Sequence, residues 1–302
     1  MIFSIRNIAA FFAAWMLILS GKMSRLRKRA ANGDFLLSVY FHDPSRKLFE
    51  SCVKWFLRKG FTIISADEYE QIASGKKPFP KSAVILTVDD GWRNNKENIA
   101  AVANQYKIPV TIFASTQPIE TGEAYWWSYI AAANKQGLVK QSVTACKKLA
   151  NEERVHLVNE VKVRIPLERE ALTVDELKEI SNTPFVSIGS HTVTHPILST
   201  CGDQQSHDEI ARSKSILETW LHTPVNHFAY PNGDYKEREI KYLQSAGYRL
   251  AFTTQTHYIT PGNIAHVYTI PRFDVLETIS FTENICRMTG LWFNKSLFNE
   301  KH

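Results

Sequence analysis

The sequence predicts an α/β fold: a parallel sheet, closed or open, with helices outside it. Three observations predict this. Between residues 35 and 275, short apolar runs alternate with segments whose apolar residues recur at helical spacing, the pattern of strands joined through crossover helices. The composition is that of a globular chain able to fill a large core, with 302 residues, 44% hydrophobic and 22% charged. The residues richest in chemistry, Asp89 with Asp90 and His191 with His195, come just after β-rich runs, where parallel-sheet folds place their sites.

Taken in order, residues 35–43 (FLLSVYFHD) read as a buried strand ending at His42. Residues 48–60 carry apolar side chains at helical spacing and stop at a glycine. A second strand over 61–65 is followed by a short helix over 66–76, whose first turn is acidic. The third strand, 82–88, delivers Asp89 and Asp90. A helix over 96–107 leads to a fourth strand over 108–115. Residues 120–172 break the rhythm with an aromatic stretch and a charged helical one, and read as an inserted helical pair or lid. Thr173 and Glu176 then form a capping-box pattern for a helix over 173–181. Residues 185–198 are a strand feeding a His-rich loop, 207–221 a helix, 227–235 a short strand and turn, 237–247 a helix, 248–254 a strand and 268–275 the last strand. Residues 289–298 suit either a terminal helix docked on the sheet or a membrane contact.

The first 33 residues stand apart. Residues 8–19 (IAAFFAAWMLIL) are wholly apolar but fall short of the about 20 residues of a spanning helix. Lys22, Arg25, Arg27, Lys28 and Arg29 follow, and no small-x-small cleavage pattern does, which disfavours a signal-peptide core. A short anchor, or a helix lying in the membrane interface with the basic cluster on lipid head groups, is the expectation for residues 1–33; a second unit covers 34–302. The net charge of +6 is concentrated in that cluster, whereas a nucleic-acid footprint would spread over a face, so no nucleic-acid partner is expected. Four cysteines without CxxC spacing make neither a disulfide framework nor a zinc ribbon.

Two adjacent acids at the end of a buried strand need a partner for their charge. His191 and His195, four residues apart, can turn both rings to one point. Two neutral imidazoles and one carboxylate make a three-ligand site for a divalent ion with room left for water. One aspartate binds the ion; the other accepts a proton from the water that the ion acidifies.

The chain resembles the polysaccharide deacetylases, the NodB-homology or carbohydrate esterase 4 group, over about residues 35–276. TVDDGW (87–92) is similar to the first motif, usually TFDDG; SHTVTH (190–195) matches the second; FAYPNG (228–233) resembles the third; and IPRFDV (270–275) resembles the late arginine-bearing strand. SVYFHD (38–43) is similar to the opening of the subgroup related to poly-N-acetylglucosamine deacetylases. The resemblance implies an irregular (β/α) barrel with fewer strands than the eight-fold one, here with the helical insertion around 120–172. It implies Asp89 as general base, Asp90, His191 and His195 as metal ligands, Thr192 as a brace of the His loop, and Arg272 as the group orienting Asp89. Tyr230 would offer its backbone N–H to the oxyanion, and His42 would be the catalytic acid. Two departures stand out: Ala229 replaces the third motif's arginine, and the late Leu-x-His motif is absent, which leaves His257 and His266 as rival acids. Trp92, Pro231 and Trp127 are the expected sugar contacts; Trp126 and Trp127 suit either stacking on a sugar ring or pinning the insertion to the barrel, and Asn94 is a candidate lining residue.

The expected activity is metal-dependent removal of an N-acetyl group from a sugar of a bacterial envelope polysaccharide or lipid-linked glycan. Zinc is the first choice of ion, with cobalt, nickel or manganese as alternatives. The expected location is the bacterial inner membrane, leaning to the cytoplasmic face. One alternative is a glycan-binding member of the same fold without turnover. Another, a two-His-one-carboxylate iron oxygenase, fits less well because the acid precedes the His pair by a long stretch.

Overall fold

The computed structural model describes residues 5–293. Eight strands form one sheet: β1 (Leu37–Phe41), β2 (Thr62–Ile64), β3 (Ala83–Val88), β4 (Val110–Ala114), β5 (Val186–Ser190), β6 (His227–Ala229), β7 (Leu250–Phe252) and β8 (Phe273–Asp274). Their order is β7-β6-β5-β4-β3-β1-β8, and every pairing is parallel. β2 lies against the first half of β3, from Thr62–Ala83 to Ile64–Ile85, while β4 pairs with its second half at Thr87–Thr111 and Val88–Ile112. The sheet curls round on itself. Phe252 makes a parallel bridge with Ile270, on the segment that runs into β8, and Thr253 N donates to Ile270 O at 2.8 Å. The result is an irregular (β/α) barrel of the kind the resemblance implies, with eight strands where fewer were expected.

Side chains alternate across each strand. Val84, Leu86 and Val88 join the core under the outer helices, whereas Ala83 and Ile85 join a second cluster with Phe113, Phe252 and Ile270 that fills the barrel. Asp89 continues the row of Ile85 and Thr87, which carries its carboxylate into the barrel mouth. Strands buried on both faces read as unbroken apolar runs, which is why their positions were legible.

The outer helices start where the caps are. Ser45, Ser65 and Thr173 accept from the backbone N–H of Leu48, Glu68 and Glu176 at the heads of Arg46–Arg58, Ala66–Ala73 and Val174–Ser181, each cap being worth about 1 kcal/mol. The helix expected over 96–107 is a π turn, Lys96–Ala100, running into Ala101–Tyr106. The insertion holds helices Trp126–Lys135, Val143–Cys146 and Asn151–Lys162 around its own small core of Tyr129, Ile130, Ala133, Cys146, Val158 and Val161. All four cysteines are buried and unpaired.

Residues 5–33 form two helices, Ile5–Leu19 and Lys22–Asn32, and pack into the main core through Ala14, Met23, Leu26 and Ala30. Part of the terminal segment 289–298 lies outside the described residues. Its described part, 289–293, is turn, and the helix that docks at this end is Phe281–Met288.

Candidate active site

The loops after β1, β3 and β5 and the turn after β6 meet at an open cleft of about 310 Å³. His42, Asp89, Asp90, Trp92, Trp127, His191 and His195 line it, together with Asp43, Val143, Lys147, Asn232 and Thr254. Val143 and Lys147 come from the insertion, so the insertion is a wall of the site.

The acidic doublet splits because the backbone turns between its members. Asp89 N still makes a ladder bond to Phe41 O at 2.8 Å. Asp90 and Gly91 then adopt positive φ, 77° and 83°. For an aspartate this costs on the order of 1 kcal/mol or more and persists only where the surroundings hold it. Here Ser115 N and the Tyr125 hydroxyl donate to Asp90 O, and Leu172 N donates to Gly91 O. The two carboxylates therefore point to different partners.

Asp89 meets Arg272. Its two oxygens accept from the two terminal guanidinium nitrogens at 2.7 and 2.8 Å, a bidentate geometry that fixes the carboxylate plane. Arg272 is fully buried, also donates to Thr253 O and Thr87 Oγ1, and lies 4.5 Å over the Tyr40 ring. Ala229, where the related motif has an arginine, leaves no gap in this arrangement, because Arg272 alone takes both oxygens of Asp89.

Asp90 meets the histidines. Its Oδ1 lies 3.4 Å from His191 Nε2 and 3.3 Å from His195 Nε2, and the three possible ligand atoms are within 4.8 Å of one another. Ligands at 2.0–2.2 Å around a tetrahedral ion are about 3.4 Å apart. Asp90 Oδ1 is buried without a hydrogen-bond partner among the described residues, which is costly unless something else binds there. Burial pushes the Asp90 carboxyl up, but contacts with His191 and His195 outweigh it and hold the group well below the usual carboxylate range. Burial pushes the His195 imidazole down. A carboxylate beside a neutral imidazole is the protonation state a metal requires. The residues present thus fit a divalent ion.

A supporting layer aims these ligands. His191 Nδ1 is 2.7 Å from Ala229 O, so this nitrogen carries the hydrogen and Nε2 is left for the ion. Trp92 Nε1 donates to Asp90 Oδ2 at 2.8 Å. The Thr192 hydroxyl donates to His191 O and accepts from His195 N at 3.1 Å, bracing the loop as expected. Thr192 and His195 both sit at positive φ. Glu209, on helix Asp203–Leu221, accepts from Val193 N, Thr194 N and the Thr194 hydroxyl at 2.8, 2.9 and 2.6 Å. Nothing in the local sequence marks Glu209 for this role.

Several expectations change. Tyr230 cannot serve an oxyanion: it is fully buried, its N–H donates to Phe252 O at 3.0 Å in the β6–β7 ladder, and its hydroxyl donates to Tyr268 O. Pro231 is buried and does not line the cleft; Asn232, at φ 60°, is the residue of that turn that does. Asn94 is exposed and outside the lining. Neither His257 nor His266 reaches the cleft, whereas His42 does, with its backbone carbonyl held by Asn95 Nδ2 at 3.0 Å. Trp126 pins the insertion by donating to His195 O at 3.0 Å, with Arg154 over its ring. Trp127 faces the cleft, stacked on Tyr125 with centroids 4.5 Å apart.

The family described as Polysaccharide deacetylase matches residues 76–251, more than half of the chain. YxkH of Bacillus subtilis (strain 168), named among the polysaccharide deacetylases, is 24% identical over 211 residues; the match covers 70% of this chain and 58% of YxkH. The chain therefore spans rather more than half the length of that relative. The solved structure of IcaB from Ammonifex degensii superposes with a TM-score of 0.60 at 17% identity, covering 85% of this chain and 97% of IcaB. That of the Streptococcus pyogenes deacetylase PplD gives 0.59 at 18% identity, covering 84% and 96%. The strand order, the motif-bearing loops and the family match lead to one conclusion: this chain belongs to the polysaccharide deacetylase family.

Proposed function

We propose that the protein is a metal-dependent deacetylase that hydrolyses the N-acetyl group of a sugar in a bacterial envelope polysaccharide or lipid-linked glycan. Zinc is the ion this reading assigns to Asp90, His191 and His195. The observation that carries it is the pairing, in one open cleft, of those three converging ligand groups with a separate carboxylate, Asp89, fixed by Arg272. The PplD structure was solved with acetate, the acid that such a cleavage releases.

A divalent ion in this position supplies Lewis acidity to the attacking water and to the acetyl oxygen. The chain does the rest. Asp89 takes the proton of the attacking water, and its bidentate pair with Arg272 keeps the carboxylate aimed. His42, protonated, gives a proton to the amide nitrogen as the C–N bond breaks, because an unprotonated amine is a poor leaving group. A C–O bond forms, a C–N bond is lost, and acetate and a free amino sugar remain. Trp127 offers an aromatic face to a pyranose ring. Lys147 and Asn232, joined by a 2.6 Å hydrogen bond across the cleft wall, offer polar contacts to its hydroxyls.

The test is acetate release from N-acetylhexosamine oligomers and lipid-linked N-acetylhexosamine by the purified, zinc-loaded chain. Asp89→Asn is expected to lower kcat by about 10²–10⁴ while zinc stays bound. Wild-type activity in that variant contradicts the assignment of the base. Saccharide binding without acetate release, whatever metal is supplied, points instead to a binding member of the family.

A further inference from the structure

Helix Ile5–Leu19 has two unlike faces. Asn7, Ala10 and Ala14 are buried against the domain. The helix packs on helix Phe281–Met288, Arg6 Nη2 lies 3.1 Å from Glu283 Oε1, Asn7 Nδ2 donates to Thr278 O at 3.2 Å, and Cys286 Sγ contacts Ala14 O. The other face carries Ile5, Ile8, Phe12, Trp15 and Leu19 at helical spacing, flanked by Phe11 and Met16, with exposures from 37% to 89%. A continuous exposed stripe of this kind marks an interaction surface. The chain turns at Gly21, and the next helix presents Arg25, Arg27 and Lys28 as exposed cations.

The helix does not suit a bilayer crossing. Its 15 residues measure about 22 Å, against a hydrocarbon core of about 30 Å. No single helix among the described residues is long and apolar enough to cross a membrane, and the two N-terminal helices meet the length and composition requirements only together, bent by 59°. A helix fixed along one flank to a folded domain cannot stand upright in lipid without drawing the domain in with it. Lying flat, it buries the apolar stripe and sets the cations at the head groups.

The helix also has an address on the barrel. Its first turn rests on residue 278; the adjacent Glu277 accepts from Ser45 N at 3.0 Å; and Ser45 closes the loop that brings His42 and Asp43 into the cleft. We propose that Ile5–Leu19 lies in the plane of an anionic bilayer and holds the cleft rim at the lipid surface, so that the sugar acted on is carried by a lipid. The choice of substrate rests on the deacetylase reading; the anchoring does not.

The test uses the full chain in flotation assays. Vesicles of phosphatidylglycerol and phosphatidylethanolamine are compared with vesicles of phosphatidylcholine, alongside size-exclusion light scattering without lipid. The wild type is expected to float with anionic vesicles. Phe12→Glu with Trp15→Glu, at exposed positions, is expected to lower the bound fraction at least tenfold with an unchanged far-UV spectrum and melting temperature. Arg25→Ala with Arg27→Ala and Lys28→Ala is expected to lower binding to anionic vesicles by a similar factor and to leave phosphatidylcholine binding as it was. Acetate release from a soluble oligosaccharide should be equal in the Glu variant and the wild type, while release from a lipid-linked sugar in vesicles should fall about tenfold. Absence of flotation, or a dimer in solution that the Glu substitutions dissociate, overturns the anchoring. Equal turnover of the lipid-linked sugar by both proteins overturns the substrate. Inactivity on every sugar, with flotation intact, counts against the deacetylase reading and leaves the anchor standing.

Discussion

Among the described residues, the barrel carries two groups of acid and imidazole side chains whose possible ligand atoms lie within 4.8 Å of one another, and they are not equivalent. Asp90, His191 and His195 stand beyond strand ends. Asp67, Glu70 and His227 stand where a strand begins, with His227 opening β6 beside a pocket of about 200 Å³. The distances alone barely separate them: His227 Nε2 is 3.5 Å from Asp67 Oδ1 and 3.8 Å from Glu70 Oε2. The surroundings do. The Asp67 side chain is 62% exposed, and Arg249 takes an oxygen of Glu70 at 3.2 Å. Asp67 also sits in the first turn of helix Ala66–Ala73, where a carboxylate complements the helix dipole without any ion. The other three residues are 1–8% exposed. They are aimed by Ala229 O, Trp92 and Thr192, and their loop is tied down by Glu209. Ligand types within reach are common; ligands held in place by a second layer make a site.

The contrast can be broken in order of expected effect. His191→Ala should remove the bound zinc and reduce acetate release to background, as metal analysis after dialysis and an acetate assay would show. Trp92→Phe removes the N–H that orients Asp90 along with part of the ring packed on Tyr125, and zinc affinity should fall about 10–100-fold in a competition titration with a chromophoric chelator. Asp67→Asn with Glu70→Gln should leave one zinc per chain and kcat/KM within about twofold of wild type; loss of an ion in this variant would place the metal at the wrong trio. The smallest effect concerns pH. Burial depresses the His227 pKa below 6.5, against the pull of Asp67 and Glu70 and with Arg249 assisting. The unfolded chain then binds that proton more readily, so His227 contributes stability above about pH 6.5 that is lost as pH falls. His227→Gln should make the fall in Tm from pH 7.5 to pH 5.5 shallower than in the wild type.

Much of this was legible in the sequence, for physical reasons. Strands buried on both faces leave apolar runs that a linear reading detects, and Asp89 and Asp90 sit directly after such a run, whereas His191 follows the mixed strand VSIGS. Thr173 announces its helix because capping is local. What stayed hidden depends on distant partners. Whether Tyr230 or Asn232 faces the cleft is decided by the ladder between β6 and β7, which takes the Tyr230 N–H. Glu209 acts on a loop that lies fifteen and sixteen residues back along the chain. Lys147 reaches the cleft only because the insertion folds over it, and Trp126 and Trp127 divide their tasks according to which side of one helix each occupies. The basic run after Gly21 gave no helical pattern of its own, yet Met23, Leu26 and Ala30 anchor it as a helix on the core.

An anomalous-scattering map from zinc-soaked crystals bears most directly on the central claim. The expected result is one strong peak about 2.0–2.2 Å from the Asp90 carboxylate and from the imidazoles of His191 and His195, with Asp89 facing it and still paired to Arg272. A peak at Asp67, Glu70 and His227 in its place, or an ion coordinated by Asp89 with Asp90 turned away, would contradict it.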